Sequence, residues 1–434
     1  MTHPLSVAVA GLGTVGGGVL KLLRDNADIV TARAGRPIAV TAVSARDRTR
    51  DRGVPITGLR WYEDPVALAA DPAVDVVVEL IGGSDGPARA LVEAAIAAGK
   101  PVVTANKAML AVHGAALARA AETRHVPLAF EAAVAGGIPV IKALREGLAA
   151  NRISRIAGIL NGTCNYILTQ MRERGREFAD VLADAQKLGY AEADPSFDID
   201  GIDAAHKLAI LAALAFGRPV AFDAVHVEGI RRISALDIAF ATELGYRIKL
   251  LGIARRSEGA PEGGISARVH PCMVPAAAPI ARVDGVFNAV VAEGDFVGRV
   301  MLEGRGAGAG PTASAVVADL IDLARGRLTP VWGADAAELS NAPSVPMSSH
   351  VGPYYLRLMV VDRPGVIADV TAVLRDLGVS LESMLQRGRA PGEAVPVVLV
   401  THETQESAMR EALTRIEALD AVLETPTLIR IEAG

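Results

Sequence analysis

The sequence predicts an α/β protein built in three units: a doubly wound parallel sheet, a second α/β unit, and a small βαββαβ unit at the C-terminus. Three observations carry this expectation. Short apolar strands alternate with helix-length segments over the first 135 residues, the pattern of a parallel sheet covered by helices on both faces. Gly11-Leu12-Gly13-Thr14-Val15-Gly16 directly follows the first strand and opens a helix, which is the start of a dinucleotide-binding βαβ unit. A Pro/Ser-rich stretch without periodicity, Asn341 to Gly352, sets off a compact final segment and reads as a linker.

The elements follow in order. Leu5 to Ala10 is a buried strand and Thr14 to Ile29 a helix; Ile38 to Val43 and Val74 to Ile81 are the next strands. A helix over Pro87–Ala98, a short strand over Pro101–Thr104, a helix over Lys107–Thr123 and a strand over Pro127–Phe130 complete a first domain at residues 1–135. In the second domain, 136–340, Ile153–Leu160 is strand-like, and Asn165–Arg174 and Phe178–Leu188 are helical. Asp203–Phe216 is a helix stopped by Gly217-Arg218-Pro219, a helix-end signal. Tyr246–Ala254, Ile265–Pro271 and Val297–Glu303 are strands of a largely open sheet, with a turn at Val283–Gly285. The helix Thr312–Arg325 is expected to pack back on the first domain. After the linker at 341–352, residues 353–434 hold strand Tyr354–Val361, helix Gly365–Leu377, strands Val379–Arg387 and Val395–Thr401, helix Ser407–Ala418 and strand Leu428–Ile431. That order is ferredoxin-like.

Composition excludes several classes. The 434 residues are 51% hydrophobic and 21% charged, a globular balance rather than a disordered one. A net charge of −5, no basic tract and 4% aromatics argue against a nucleic-acid partner. Cys164 and Cys272 are too few for a disulfide framework and lack C-x-x-C spacing, so a reducing, cytoplasmic setting is expected. No secretory leader and no apolar run of membrane-spanning length is legible.

Four constellations carry chemistry. In the glycine motif, Gly11 permits the tight turn, Gly13 lets the backbone approach a pyrophosphate, and Gly16 allows close helix–strand packing. The second strand runs into Ser44-Ala45-Arg46 rather than an acid; Arg46 suits the 2′-phosphate of NADP, and the alternative is that Arg46 and Arg48 are solvated loop charges. Thr104-Ala105-Asn106-Lys107 stands at the carboxyl edge of the sheet, where ligands bind, so Lys107 is either a helix-start surface charge or a group reaching the site. Between Leu188 and Lys207, Asp203 and Lys207 are four apart on one helix face, and Asp200 is placed to cap that helix. Their plain reading is a capped helix with a solvated ion pair. His206, among apolar neighbours, reads as structural. Cys164 lacks a fixed His partner and reads as a small buried thiol rather than a nucleophile. Gly304–Gly310 is glycine-rich without the G-K-[ST] of a P-loop.

Taken together, these segments resemble homoserine dehydrogenase in its monofunctional form with a C-terminal ACT regulatory domain. The resemblance rests on Gly11–Gly16, Thr104–Lys107 (TANK), Glu131–Pro139 (EAAVAGGIP), Asn161–Tyr166 (NGTCNY), Leu188–Pro195 (LGYAEADP), Asp198–Lys207 and Gly304–Thr312, and spans nearly the whole chain. A strand beginning at residue 5 leaves no room for a fused aspartate kinase. The resemblance implies a Rossmann-type first domain and reversible NAD(P)H-dependent reduction of L-aspartate 4-semialdehyde to L-homoserine, serving threonine, methionine and isoleucine biosynthesis. It implies Lys207 as proton donor and Lys107 as second essential lysine, with Glu192, Asp203, Gly189 and Tyr190 lining the substrate. The cofactor, NADP with NAD as the alternative, would meet Gly11, Leu12, Gly13, Thr14, Val15, Gly16, Arg46, Ser84, Thr104, Lys107, Gly189 and Gly304. A monovalent cation such as Na+ would sit at Glu131, Val134, Gly136 and Ile138. The turn Asp362-Arg363-Pro364-Gly365-Val366 resembles an ACT ligand site, with L-threonine as the expected effector, and the protein is expected to be a homodimer or homotetramer. Two rivals stand beside this reading: an acylating aspartate-semialdehyde dehydrogenase, which needs Cys164 as nucleophile, and a non-catalytic NADP- and amino-acid-sensing protein, which leaves both lysines unexplained.

Overall fold

The computed structural model describes residues 3–257, 263–339, 342–387 and 390–433. Six parallel strands form the first sheet: β1 (Leu5–Ala10), β2 (Ile38–Ser44), β3 (Arg60–Tyr62), β4 (Val76–Glu79), β5 (Val102–Thr104) and β6 (Leu128–Ala129). Their order, β3-β2-β1-β4-β5-β6, is the doubly wound dinucleotide-binding order, with its switch point at the carboxyl ends of β1 and β4. β4 is buried at every residue, as a strand covered on both faces must be. Some details differ from the pattern reading. The expected helix Thr14–Ile29 is two helices, Thr14–Asp25 and Ala27–Ala34, broken at Asn26, which leaves helical geometry at φ −114° and ψ 26°. Arg60–Tyr62 adds a short edge strand that the pattern did not announce.

The second and third units share one mixed sheet of ten strands. The second unit contributes β7 (Ile153–Ile159), β8 (His226–Val227), β9 (Tyr246–Arg256), β10 (Ile265–Pro275), β11 (Phe287–Gly294) and β12 (Gly298–Arg305). The C-terminal side contributes β14 (Tyr354–Val361), β15 (Leu381–Gln386), β16 (Ala394–Thr401) and β18 (Thr427–Ile431), ordered β18-β14-β16-β15. The short pair β13 (Val351–Gly352) and β17 (Thr404–Gln405) stands apart. Cys272 and Met273 of β10 pair with Arg430 and Ile431 of β18, so the expected open sheet is continued by the C-terminal unit. The stretch 341–352 is correspondingly no free tether. Asn341 lies outside the described residues, but Ser344 bridges Ile265 and Val345 N–H donates to the Ile265 carbonyl at 2.9 Å.

The helix Ala309–Ala324 returns to the first sheet as expected. A Cβ on Gly18 would lie 2.6 Å from the Ala309 carbonyl oxygen, so glycine is what lets this helix close on Thr14–Asp25. Its Val316, Val317 and Leu320 share a core with Val7, Val9 and Val78 of the first sheet.

Two carboxylates, one buried and one half-buried, fasten the C-terminal unit to the second one. Asp237, wholly buried, accepts from Arg357 Nε at 2.6 Å and from the Tyr355 hydroxyl at 3.2 Å. Glu228 accepts from both ends of the Arg430 guanidinium at 2.7 and 2.9 Å, and Arg430 also holds the buried Glu406. Asp237 sits in a helix, Ala235–Glu243, that pattern reading missed. Its Ser234-x-x-Asp237 capping box was the available start signal.

Removing one partner of a buried pair leaves the other charge uncompensated. Arg357→Ala should therefore lower stability in urea unfolding by about 3–5 kcal/mol. Arg387→Ala, which removes an exposed ion pair to Glu243, should cost less than about 1 kcal/mol. Equal losses for the two variants would contradict this account of the junction.

Candidate active site

The glycine motif is built as a close-packed turn. Gly11 has φ +95°, and a Cβ there would fall 2.4 Å from the Leu80 carbonyl oxygen. A Cβ on Gly16 would fall 2.1 Å from the Gly11 carbonyl oxygen, whereas one on Gly13 would meet no atom within 4 Å. Two glycines thus serve packing, and Gly13 opens onto the N-terminus of helix Thr14–Asp25, with Thr14 and Val15 in its first turn. Unpaired N–H groups there suit a phosphate, so these residues fit a dinucleotide. Leu12 is buried beneath the turn and its carbonyl accepts from Arg52 Nε at 3.2 Å. Arg46 is exposed and makes no hydrogen bond or ion pair among the described residues. Arg48 and Arg52 instead flank the Trp61 ring, each 5.8 Å from its centroid.

Across the switch point, the end of β4 is organised by Glu79, which the sequence reading had not singled out. Its buried carboxylate accepts from the N–H groups of Ile81 and Gly82 and from the Thr104 hydroxyl at 2.6 Å. Thr104 Oγ1 in turn accepts from the Asn106 N–H, and Asn106 Nδ2 donates to the Gly83 carbonyl at 2.7 Å. Asn106 also caps helix Lys107–Thr123 through the Met109 N–H. This network sets where Lys107 begins its helix. Ser84, nearby in sequence, donates to Asp85.

Lys107 reaches the second unit. Its Nζ lies 3.0 Å from Asp203 Oδ1, and Lys207 Nζ lies 2.7 Å from Asp203 Oδ2. Lys207 also donates to the Leu160 carbonyl at 2.7 Å. Asp203 and Lys207 are both buried, so the i,i+4 pair read from sequence as solvated is an interior one. The reason is visible in helix Ile202–Phe216, which is apolar nearly all round and so belongs inside. Burial alone would raise the Asp203 carboxyl. The ammonium groups of Lys207 and Lys107, with hydrogen bonds from Lys207 and Asn161, outweigh it and hold the carboxyl well below the usual carboxylate range. Asp200 does not cap this helix: it pairs with Arg231, and Gly201 at φ +87° is the cap residue.

The remaining residues around this cluster take distinct places. The Tyr190 ring packs tilted against Tyr166, centroids 4.9 Å apart, and its carbonyl accepts from the Thr163 hydroxyl. Gly189, at φ +74°, and Glu192 are exposed on the same loop. The Glu192 carboxylate makes no hydrogen bond or ion pair among the described residues, so the structure does not bring it to Asp203. His206 is packed between Phe197 and Phe222, its ring lowered in basicity by burial. Burial likewise pushes the Cys164 thiol far up, and its Sγ donates to the Asp198 carbonyl at 3.2 Å. That is the reverse of an activated nucleophile. Lys249, another residue without an assigned role in the sequence, is buried with Nζ on Asn165 Oδ1, the Val283 carbonyl and Asp284, and burial lowers it to about 8. It ties the turn before β11 to helix Gly162–Arg174.

The loop from Glu131 crosses to the second unit. Both Glu131 carboxylate oxygens accept backbone N–H groups, from Ile141 at 2.9 Å and Lys142 at 2.8 Å. Ala135 and Gly136 are consecutive left-handed residues, and a Cβ on Gly136 would lie 2.5 Å from the Gly306 carbonyl oxygen. Gly304, on β12, faces Ile138, whose side chain would stand 3.1 Å from an added Cβ.

Comparison with known proteins adds the lineage of this arrangement. The pattern of the homoserine dehydrogenase family matches residues 139–321, that of the homoserine dehydrogenase NAD-binding domain matches 11–131, and that of the ACT domain matches 354–419. A homoserine dehydrogenase of Pseudomonas aeruginosa is 49% identical, over 99% of both chains, and one of Neisseria gonorrhoeae is 48% identical over the same shares. The crystal structure of a homoserine dehydrogenase from Thiobacillus denitrificans superposes with a TM-score of 0.93 at 50% identity, covering 99% of each chain. A hyperthermophilic archaeal homoserine dehydrogenase in complex with NADPH gives a TM-score of 0.63 at 26% identity, over 76% of this chain and 100% of that one.

Proposed function

This chain belongs to the homoserine dehydrogenase family of oxidoreductases, and we propose that it interconverts L-aspartate 4-semialdehyde and L-homoserine with Lys207 as proton donor. The observation that carries this reading is the buried Asp203 carboxylate shared by Lys207 and Lys107. A bound dihydronicotinamide would supply the hydride that the aldehyde carbon receives. The aldehyde oxygen becomes an alkoxide and must receive a proton and a cationic field. An ammonium has three N–H donors. Two of those on Lys207 are directed at Leu160 and Asp203, which leaves the third for the substrate oxygen. Lys107 adds a second positive charge from the cofactor-binding side. The Asp203 oxygen facing Lys107 is placed to exchange that partner for the substrate ammonium. We assign Glu192, Tyr190 and Gly189 to the substrate side on the resemblance, from a loop whose Tyr190 carbonyl accepts from Thr163.

For the cofactor we favour NADP. The glycine turn suits either dinucleotide, and the basic loop from Arg46 to Arg52 suits a 2′-phosphate. Arg46 is free to meet it, whereas Arg52 is engaged with the turn itself. Thr104, Ser84 and Gly304 complete the proposed cofactor surface. A monovalent cation such as Na+ fits the loop after Glu131 in part. The Val134 and Gly136 carbonyls accept no hydrogen bond among the described residues, while Ile138 O is taken by Val140 N–H and Glu131 is committed to Ile141 and Lys142. Glu131 would then shape the cation loop more than ligate. In the C-terminal unit, Gly365 at φ +95° opens helix Val366–Asp376, and L-threonine is the proposed effector there. β12 and β15 end the shared sheet, and such open edges favour pairing with a second copy, in keeping with a homodimer or homotetramer. A role in cytoplasmic threonine, methionine and isoleucine biosynthesis follows from the proposed reaction.

Lys207→Ala should lower kcat for NADPH-dependent semialdehyde reduction by about 10²-fold or more, with NADPH affinity nearly unchanged in fluorescence titration. Near-parent turnover would remove Lys207 from the chemistry. Arg46→Asp should weaken NADPH far more than NADH, because an acid there repels a phosphate but accepts from a hydroxyl; equal weakening would reduce Arg46 to a supporting role. Threonine titrated against the full chain should inhibit it, and Gly365→Asp, which sets a carboxylate against the ligand's own, should abolish that response. Identical threonine responses in parent and variant would place the sensor elsewhere.

A further inference from the structure

Asn161 stands between the two lysines' carboxylate and the strand that precedes it, and neither the sequence reading nor the family comparison assigns it a role. It is buried, two residues beyond the end of β7. Its side-chain oxygen accepts the Cys164 N–H at 2.8 Å and so caps helix Gly162–Arg174. That bond fixes which way the amide faces: the NH2 group points away from the helix, into the cluster. There Nδ2 donates to Asp198 Oδ1 at 2.7 Å and to Asp203 Oδ2 at 2.8 Å.

A helix cap needs only an acceptor, which Ser or Asp supplies as well as Asn. The donor half of the amide is therefore doing something else. It bridges the buried Asp203 carboxylate and the half-buried Asp198 one, and it holds the Asp203 oxygen that also receives Lys207. The residue immediately before it, Leu160, supplies the other acceptor of the Lys207 ammonium. One short segment thus aims both ends of the Asp203–Lys207 pair.

We propose that Asn161 is a positioning residue for the reaction, which fixes Asp203, and through it the Lys207 ammonium, by donating both amide hydrogens to Asp198 and Asp203. This rests on the reading of Lys207 as proton donor. The charged and titratable groups around Asp203 are Lys207 and His206 on its own helix, Lys107 on helix Lys107–Thr123, Asp198 on the short helix Ser196–Ile199 and Cys164 on helix Gly162–Arg174. Asn161 contributes no charge to this set. It contributes geometry, and about an ångström of misplacement can cost 10²-fold in rate.

Two variants that keep the cap separate geometry from folding. Asn161→Ser retains an acceptor for the Cys164 N–H and loses both donors to the carboxylates. Asn161→Asp retains shape and cap and places a third carboxylate against Asp198 and Asp203. For Asn161→Ser we expect kcat to fall by about 10–10²-fold, with KM for NADPH unchanged and Tm close to the parent's. For Asn161→Asp we expect a larger loss of kcat, together with an upward displacement of the basic limb of the kcat–pH profile, because an added negative charge beside the cluster favours its protonated form. Lys207→Ala is measured alongside. A folded Asn161→Ser enzyme with parental kcat and pH profile, beside an inactive Lys207→Ala, overturns the positioning role alone. Near-parent turnover of Lys207→Ala overturns the proton-donor reading and this role with it. Failure of both cap-retaining variants to fold also overturns the proposal, since the amide would then be needed for the fold itself.

Discussion

The Asp203 carboxylate is the constraint on which the rest of the site depends. A carboxylate buried to this degree is costly unless its charge and its lone pairs are answered. Here two ammonium groups and one amide answer them, and they arrive from separate parts of the chain. Lys207 comes from the same helix, Asn161 from the end of β7, and Lys107 from the first unit across the crevice. Satisfying one oxygen pair therefore requires the cofactor-side sheet and the second unit to be held in a fixed relation. The ion pair does not create that relation by itself. It is stable only because the backbone around it is already held.

The holding is done by close backbone contact and by buried charge. Gly11, Gly16 and Gly18 let β1, its helix and the returning helix Ala309–Ala324 approach to distances that no side chain permits. Glu79 and Asn106 fix the start of the helix that carries Lys107. On the far side, Gly229 presses on the turn that precedes Asp203, where a Cβ would lie 2.2 Å from the Ile199 carbonyl oxygen, and Ile230 N–H donates to that same carbonyl. The neighbouring Glu228 is the carboxylate gripped by Arg430 of β18. The C-terminal unit is thus joined by covalent sequence, by sheet and by ion pair to a segment that touches the turn preceding the helix of Asp203. Since interiors transmit strain rather than absorb it, a change of packing in that unit has a short path to Asp203.

Most of this architecture was legible where periodicity and turn chemistry act locally. The six-stranded sheet, the glycine turn, the helix of Lys107 and the C-terminal βαββαβ order all follow from strand–helix alternation and from Gly and Pro placement. What stayed hidden was decided by distant neighbours. β11 has the apolar run of a strand but follows a turn, and only its pairing with β7 and β12 declares it. The sheet shared by β10 and β18 joins residues with no sequence relation. Arg52 and Glu79 are ordinary charged residues in sequence, and their roles rest on hydrogen bonds to backbone that the fold brings near.

Charge spacing illustrates the limit most clearly. Asp203 and Lys207, and Arg410 and Glu406, are both i,i+4 pairs, and so are Arg415 and Glu411. Spacing treats all three alike, and at a surface each would contribute only about 0.3–0.5 kcal/mol. Their surroundings separate them. Arg415 and Glu411 are both half exposed, whereas the helix of Asp203 and Lys207 carries Leu208, Ile210, Leu211 and Leu214 around its other faces, all buried. A charged pair near the start of a helix that is otherwise apolar on every side has no solvated face to occupy. It must be buried, and a buried pair must be satisfied from outside its own helix. That inference needed only the sequence of Ile202–Phe216, read as a whole helix rather than as a pair of charges. Read so, the helix places Lys207 inside and calls for a partner from another part of the chain, which Asn161 is.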